Sequence, residues 1–179
     1  MGTYRLRVFY KKEGISRFIS HLSFCKIIER SLRRLDIPLK FSDGFTPHLK
    51  ISYCPPLPIP IIGTNEFFEL ELSETIDTNF FIEKINKILP EGTCVKNCFW
   101  TEKKVNLSSI YGIYFIPLCE KVLKEDIEKF GKIIEEKKEF IKAVFKMEGF
   151  NHRNVFRYGI FDGIKRELVI DEGKIQNLY

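Results

Sequence analysis

YRLRVFYKKEGISRFISHLSFCKIIERSLRRL (residues 4–35) is the stretch on which the fold turns. Over 4–11 apolar and charged residues alternate. Tyr4, Leu6, Val8 and Tyr10 face one side and Arg5, Arg7, Phe9 and Lys11 the other, the period of a half-buried strand. Lys12-Glu13-Gly14 interrupts it. From Ser20 to Leu35 the period lengthens to that of a helix, with Leu22, Cys25, Ile28, Leu32 and Leu35 as the expected apolar stripe and Ser20 as the expected N-cap. Asp36 and Pro38 are expected to end this helix, because the residue before a proline avoids the αR region.

Outward from this βα unit, Asp43-Gly44 signals a turn, and Leu49, Ile51 and Tyr53 alternate with polar residues in a strand over 48–54. Four prolines in residues 55–60 make a stiff extended loop. A strand over 66–72 sets Phe68, Leu70 and Leu72 against Glu69 and Glu71. A helix over 78–89 carries Phe81, Ile85 and Ile88 on one face, and a strand follows over 93–101. The order β-α-β-β-α-β is that of a ferredoxin-like domain, two helices on one face of a four-stranded antiparallel sheet. Beyond a boundary at 102–109, a strand over 110–117, a helix over 124–138 with Ile127, Phe130 and Ile134 inward, and strands over 139–147, 155–161 and 165–171 are expected. The reading is α+β: a ferredoxin-like basic domain over 1–104, then a second α+β lobe over 105–179. That lobe begins as a repeat and is expected to stop before a second helix and a fourth strand.

The composition, 44% hydrophobic and 30% charged over 179 residues, excludes disorder, a collagen and a disulfide scaffold. No apolar run reaches the length of a membrane span, and the N-terminus lacks the apolar core of a signal peptide, so a cytoplasmic protein with no membrane partner is expected. Five cysteines, Cys25, Cys54, Cys94, Cys98 and Cys119, are an odd set for a disulfide framework. Cys94 and Cys98 have no second pair or nearby His, and read as half-buried thiols on a strand rather than metal ligands. The net charge of +5 is uneven: residues 1–60 carry +7 and residues 61–179 carry −2. Such asymmetry points to a polyanionic partner for the first third.

That third contains RFISHLSFCKIIERSLRRLDIPLKFSDGFTPHLKISYCPPLP (17–58), which resembles the signature of the radical SAM-linked protein family of bacteria, a domain of unknown function. The resemblance rests on Arg17, Phe18, Ser20, His21 and Leu22, on Glu29, Arg30, Arg33, Arg34 and Pro38, on Gly44, Phe45, Pro47, His48, Lys50, Ile51 and Ser52, and on Pro56, Leu57 and Pro58. Ser23, Leu49 and Pro60 depart from it, where the family has Asp, Pro and Gly. It implies association with a radical SAM enzyme, as a fused domain or a neighbouring protein. The CxxxCxxC triplet that would hold a 4Fe–4S cluster is absent, and no cofactor is implied.

The candidate residues fall in the same segment. His21 opens the helix, with Arg17 and Ser20 just before it, and a helix N-terminus attracts anions. His48 follows the GFTPH loop, so the two His read as part of an anion site or as an acid/base pair; the alternative is that they serve only caps and turns. Lys26, Arg30, Arg33 and Arg34 lie opposite the apolar stripe, and Arg suits bidentate phosphate contact; the alternative is a solvated face paired with Glu29. Gly44, which permits positive φ, and Pro47, which stiffens the chain, read as a loop whose N–H groups meet an anion, with Lys50 beyond it; the alternative is a turn joining two extended pieces. Arg5, Arg7 and Phe9 could clamp a single strand, but pairing across strands with Glu69 and Glu71 is the favoured reading. Three functions follow: an accessory module binding RNA or another polyanion; a metal-independent ribonuclease or phosphotransfer enzyme using His21 and His48; or a protein-interaction subunit. The enzyme reading is the weaker, since 17–58 holds no carboxylate pair or activated nucleophile.

Overall fold

In the computed structural model, which describes residues 2–118, 124–156 and 163–171, β1 (Tyr4–Lys12) leads through a 3-10 turn (Gly14–Phe18) into α1 (His21–Arg33). β2 (Ile51–Tyr53), β3 (Ile62–Leu72), α2 (Thr78–Asn86) and β4 (Thr93–Thr101) complete the first half. The second half runs β5 (Ile110–Pro117), α3 (Lys124–Phe130), β6 (Lys132–Glu136), β7 (Phe140–Lys146), α4 (His152–Val155) and β8 (Lys165–Ile170). The fold is mixed α+β around one eight-stranded sheet, ordered β4-β1-β3-β8-β5-β7-β6 with β2 also on β3. β1 lies antiparallel between β3 and β4, with β2 antiparallel on β3. β5 lies antiparallel between β7 and β8, with β6 antiparallel on β7. The two halves share element order and strand neighbours. They join by one parallel pairing, Ile62 with Lys165, Gly63 with Arg166 and Asn65 with Glu167. β1 occupies one edge of β3, so the other edge carries β8 near Ile62–Asn65 and β2 at Phe68–Leu70. At the outer edge of the sheet, the Asn86 amide both donates to and accepts from the backbone of Val95, blocking that point of β4.

Several expectations need correction. The helix expected over 124–138 ends at Phe130, and Lys132–Glu136 is a strand. Gly131 sits where a Cβ would approach the Val144 carbonyl oxygen to 2.5 Å, so the chain turns directly onto β7. α4 and β8 follow β7, so the second half does not stop short of them; α4 is a four-residue turn, too short to register as a period. Of the strand expected over 155–161, Val155 belongs to α4, and 157–161 lie outside the described residues. In α1 the buried residues are Phe24, Ile28, Ser31 and Leu32, whereas Leu22, assigned to the stripe, is 75% exposed. Phe24 wins the inward position because its ring stacks on Tyr10, 5.2 Å away.

Alternation in β3 divides two cores. Phe68, Leu70 and Leu72 join Leu6, Val8 and Tyr10 beneath Phe24, Ile28 and Leu32 of α1 and Phe81 and Ile85 of α2. Phe67 packs instead with Cys54, Leu57, Ile61 and the core of the second half, including Tyr114, Ile141, Phe145 and Leu168. Between the cores lies a charged pair with no solvent exposure. Arg166 donates from Nε to Glu66 Oε1 at 2.9 Å and from Nη2 to Oε2. It also donates to the carbonyls of Pro55 and Pro56 at 2.8 and 3.0 Å, which fastens the proline loop to β8. At Gly63 a Cβ would approach Glu66 Cγ to 2.5 Å, so only glycine leaves the carboxylate in place there.

Removing the cation leaves a buried carboxylate without its counter-charge, held only by the weak Cys54 thiol donor, and takes the Arg166 donors from the two carbonyls. Arg166→Met is expected to cost about 3–5 kcal/mol in urea unfolding. Glu66→Gln with Arg166→Met should recover only part of it, because Pro55 and Pro56 still lose their donor.

His152 is hydrogen-bonded through Nε2 to the hydroxyl of Tyr114 at 2.6 Å. Burial, and then the positive charge of Arg166, lower its pKa to about 3, while burial pushes the Tyr114 phenol up to about 12. The unfolded chain therefore binds a proton at His152 that the folded chain refuses. Stability is full above about pH 6.5 and falls as the pH drops toward 3, by about 1 kcal/mol per pH unit from this group. His152→Gln should remove that share of the slope when unfolding midpoints of both proteins are compared between pH 7 and pH 4.

Candidate functional site

The inward turn of Phe24 fixes what α1 shows to solvent. Lys26, Arg30, Arg33 and Arg34 are all exposed, on the side away from the core. Among the described residues none of the four forms an ion pair, and half-buried Glu29 pairs with none of them. Arg30 and Arg33 lie in the last turn, where cations complement the helix dipole. The Arg33 guanidinium sits 5.0 Å over the ring of Phe41. Arg34 borders a groove of about 360 Å3 toward α2, lined also by Leu35, Asp36, Phe80, Lys84 and Lys87, with Lys87 paired to Glu83.

The cations of β1 behave differently. Arg5 pairs with Glu71 and Arg7 with Glu69, each at 2.9 Å and each opposite in the strand register. The segment after β4 then crosses this face: Glu102 and Lys103 offer carbonyls to the two guanidiniums, and the Val105 N–H donates to Glu69. The two guanidiniums of this face are thus neutralised and largely covered.

At the N-terminal end of α1, the Ser20 hydroxyl caps the helix by accepting from the Ser23 N–H at 3.3 Å. Arg17, half-buried in the 3-10 turn, lies 4.7 Å over Phe18. Lys12 is only 2% exposed, and its ammonium donates to the Ile19 carbonyl at 2.6 Å. His21 packs edge-on to Tyr53 at 6.1 Å, with Nε2 3.6 Å from the Cys25 sulfur, and the Tyr53 hydroxyl donates to the Cys25 carbonyl. Burial, then the charges of Lys12 and Arg166, lower the pKa of His21 against the opposing pull of Glu66. Burial, then Glu29, raises that of the Cys25 thiol. At neutral pH this corner holds a neutral imidazole and a protonated thiol: it lacks a cationic His for phosphate and a thiolate nucleophile.

His48 lies elsewhere. Phe41 and Leu49 form a β-bridge, Lys50 N–H donates to the Lys40 carbonyl at 2.9 Å, and Ser42 N–H donates to the His48 carbonyl at 2.8 Å. The His48 N–H in turn donates to the Ser42 hydroxyl at 2.9 Å. Residues 40–50 thus form a small hairpin, with Gly44 at φ +114° in its turn. No contact joins His48 to His21 among the described residues. The structure gathers Lys26, Arg30, Arg33 and Arg34 on one helix face, places Gly44, His48 and Lys50 on the hairpin, and leaves Arg17, Ser20 and His21 at the opposite end of α1. Sequence reasoning used Phe45 only for the resemblance and not as a site residue, although it is fully exposed on the hairpin; the signal available was an aromatic between Gly44 and Thr46-Pro47.

Cys94 and Cys98 lie on β4, and Cys119 is outside the described residues. Among the described residues no three His, Cys, Asp or Glu side chains are grouped to hold a metal ion, and no helix is long and apolar enough to cross a membrane. Compared with known families, residues 5–152 match the model of one described as an uncharacterized protein conserved in bacteria. No curated protein matches the chain.

The environment of His21 has a measurable consequence. In an NMR titration its ring should show a midpoint below the ordinary 6.5. Lys12→Met should move the midpoint upward, because a positive neighbour that opposes protonation has been removed.

Proposed function

The chain belongs to the bacterial family of uncharacterized proteins designated DUF2344, and on that premise we propose that it is a binding module that docks a polyanion, RNA first among them, on the outer face of α1. The observation that carries this reading is the sorting of cations in the first third. Arg5 and Arg7 are spent on Glu71 and Glu69, whereas Lys26, Arg30, Arg33 and Arg34 stand exposed without carboxylate partners among the described residues. Clustered, unneutralised cations raise the local concentration of a polyanion and release counterions when it binds.

The strand neighbours β4-β1-β3-β2 and β8-β5-β7-β6, with α1 and α2 in the first half and α3 and α4 in the second, support reading both halves as ferredoxin-like, with the division near residue 104. The likeness of 17–58 to the radical SAM-linked signature supports an accessory role beside such an enzyme in the bacterial cytoplasm. Acid/base chemistry by His21 and His48 gains no support, since the two rings lie on separate elements without contact.

The test is the salt dependence of oligonucleotide binding. About four to six neutralised phosphates give a log–log slope of roughly −3 to −4 on a single strand, at about 0.7 per phosphate. Arg33→Ala with Arg34→Ala should reduce the slope by about one to one and a half. The melting temperature should change little, because exposed helix positions accept alanine. A folded double variant with an unchanged slope removes the polyanion reading.

A further inference from the structure

The hairpin over residues 40–50 has a feature that phosphate binding alone does not call for. Phe45 is fully exposed, in a segment with Gly44 at φ +114° on one side and Thr46-Pro47 on the other. An exposed large apolar side chain gains nothing from the fold, and the loop that carries it is not slack. The Phe41–Leu49 bridge, the backbone bond from Lys50 to Lys40 and the two bonds between Ser42 and His48 hold its base. The base of the hairpin is cationic. Lys40 and Lys50 face each other across the hairpin, and Lys40 is hydrogen-bonded to the Thr3 hydroxyl. Arg33 of α1 lies over Phe41. None of these three cations forms an ion pair among the described residues, and Asp43 is the single acidic residue in 40–50.

An exposed ring at the tip of a hairpin whose base carries unneutralised cations offers a stacking surface for an unpaired base and charges for phosphates of the same strand. In a duplex the faces of the bases are stacked on one another and closed to a side chain. We propose that the hairpin makes the site selective for single-stranded nucleic acid, with Phe45 stacking on one unpaired base and Lys40, Lys50 and Arg33 holding the neighbouring phosphates. The inference rests on the polyanion reading of α1 and narrows its ligand from any polyanion to an unpaired strand. Stacking accepts any base, so the site discriminates between paired and unpaired strands rather than between sequences.

The experiment uses the full chain and fluorescence anisotropy with a labelled mixed-sequence RNA, the same RNA annealed to its complement, and the DNA equivalents. The wild type should bind the single strand more tightly than the duplex. Phe45→Ala should weaken single-strand binding about tenfold, leave duplex binding within twofold, and leave the salt slope unchanged, because a phenyl ring releases no counterion. Phe45→Trp should restore the affinity, and its fluorescence should be quenched on binding. The ring touches no core residue, so thermal melts of both variants should match the wild type. The DNA arms should show the same Phe45 effect as the RNA arms, because stacking requires no 2′-hydroxyl; an effect confined to one of them overturns the stacking role. Equal affinity for single strand and duplex, with Phe45→Ala without effect, overturns this proposal and leaves the polyanion reading standing. Binding to neither form overturns both. Loss of a co-purifying protein on Phe45→Ala, with oligonucleotide binding unaltered, assigns the ring to a protein partner and overturns the stacking role.

Discussion

The buried pair of Glu66 and Arg166 is the constraint around which both halves are arranged. A bidentate ion pair without solvent exposure holds together only when the remaining donors are satisfied, because each charge has lost its hydration. Here the guanidinium spends its other N–H groups on the carbonyls of Pro55 and Pro56. One side chain of β8 therefore fixes the partner strand β3, the proline loop and, through Cys54, the end of the segment carrying β2. The Cys54 thiol donates to Glu66 at 3.4 Å, and burial raises its pKa. The parallel register of β3 and β8 sets Arg166 beside Gly63, where the missing Cβ leaves room for the carboxylate.

The field of this pair reaches α1. Arg166 disfavours protonation of His21 and Glu66 opposes it, while buried Lys12 adds its own charge. The N-terminal end of α1 thus holds a neutral imidazole in a packed corner, and the cations gather at the middle and far end of the helix. The same sequence segment carries two environments, one internal and satisfied, the other external and unneutralised. That separation is why the outer face of α1, rather than His21 and His48, carries the functional reading.

β1 and α1 show how geometry sorts like charges. Arg5 and Arg7 alternate on β1, and antiparallel pairing with β3 sets Glu71 and Glu69 opposite them. In that register the charges cancel, and the linker after β4 closes over them. Lys26, Arg30, Arg33 and Arg34 have no facing strand. A helix surface meets a carboxylate only where another element supplies one, and on that side the hairpin brings the Phe41 ring against Arg33 but no acidic partner among the described residues.

By itself the sequence determined the local elements whose signal is periodic: the alternation of 4–11 and 66–72, the helices of α1 and α2, and the charge surplus of the first third. It also favoured pairing of Arg5 and Arg7 across strands with Glu69 and Glu71, while the register that sets Arg5 on Glu71 and Arg7 on Glu69 came only with the folded sheet. It did not reveal which way α1 turned, because Leu22 and Phe24 are equally apolar, and only the stacking of Phe24 on Tyr10 decided between them. It misread 124–138 as one helix, because helical spacing of Ile127, Phe130 and Ile134 continues across a glycine whose meaning lies in the approach of β7. Gly63, Glu66 and Arg166 carry no local signal at all. Their partners lie about a hundred residues apart in the chain, and a buried charge is tolerable only where distant segments supply its donors and acceptors together. Composition and periodicity report what each residue prefers against water; only the tertiary structure settles which residues meet.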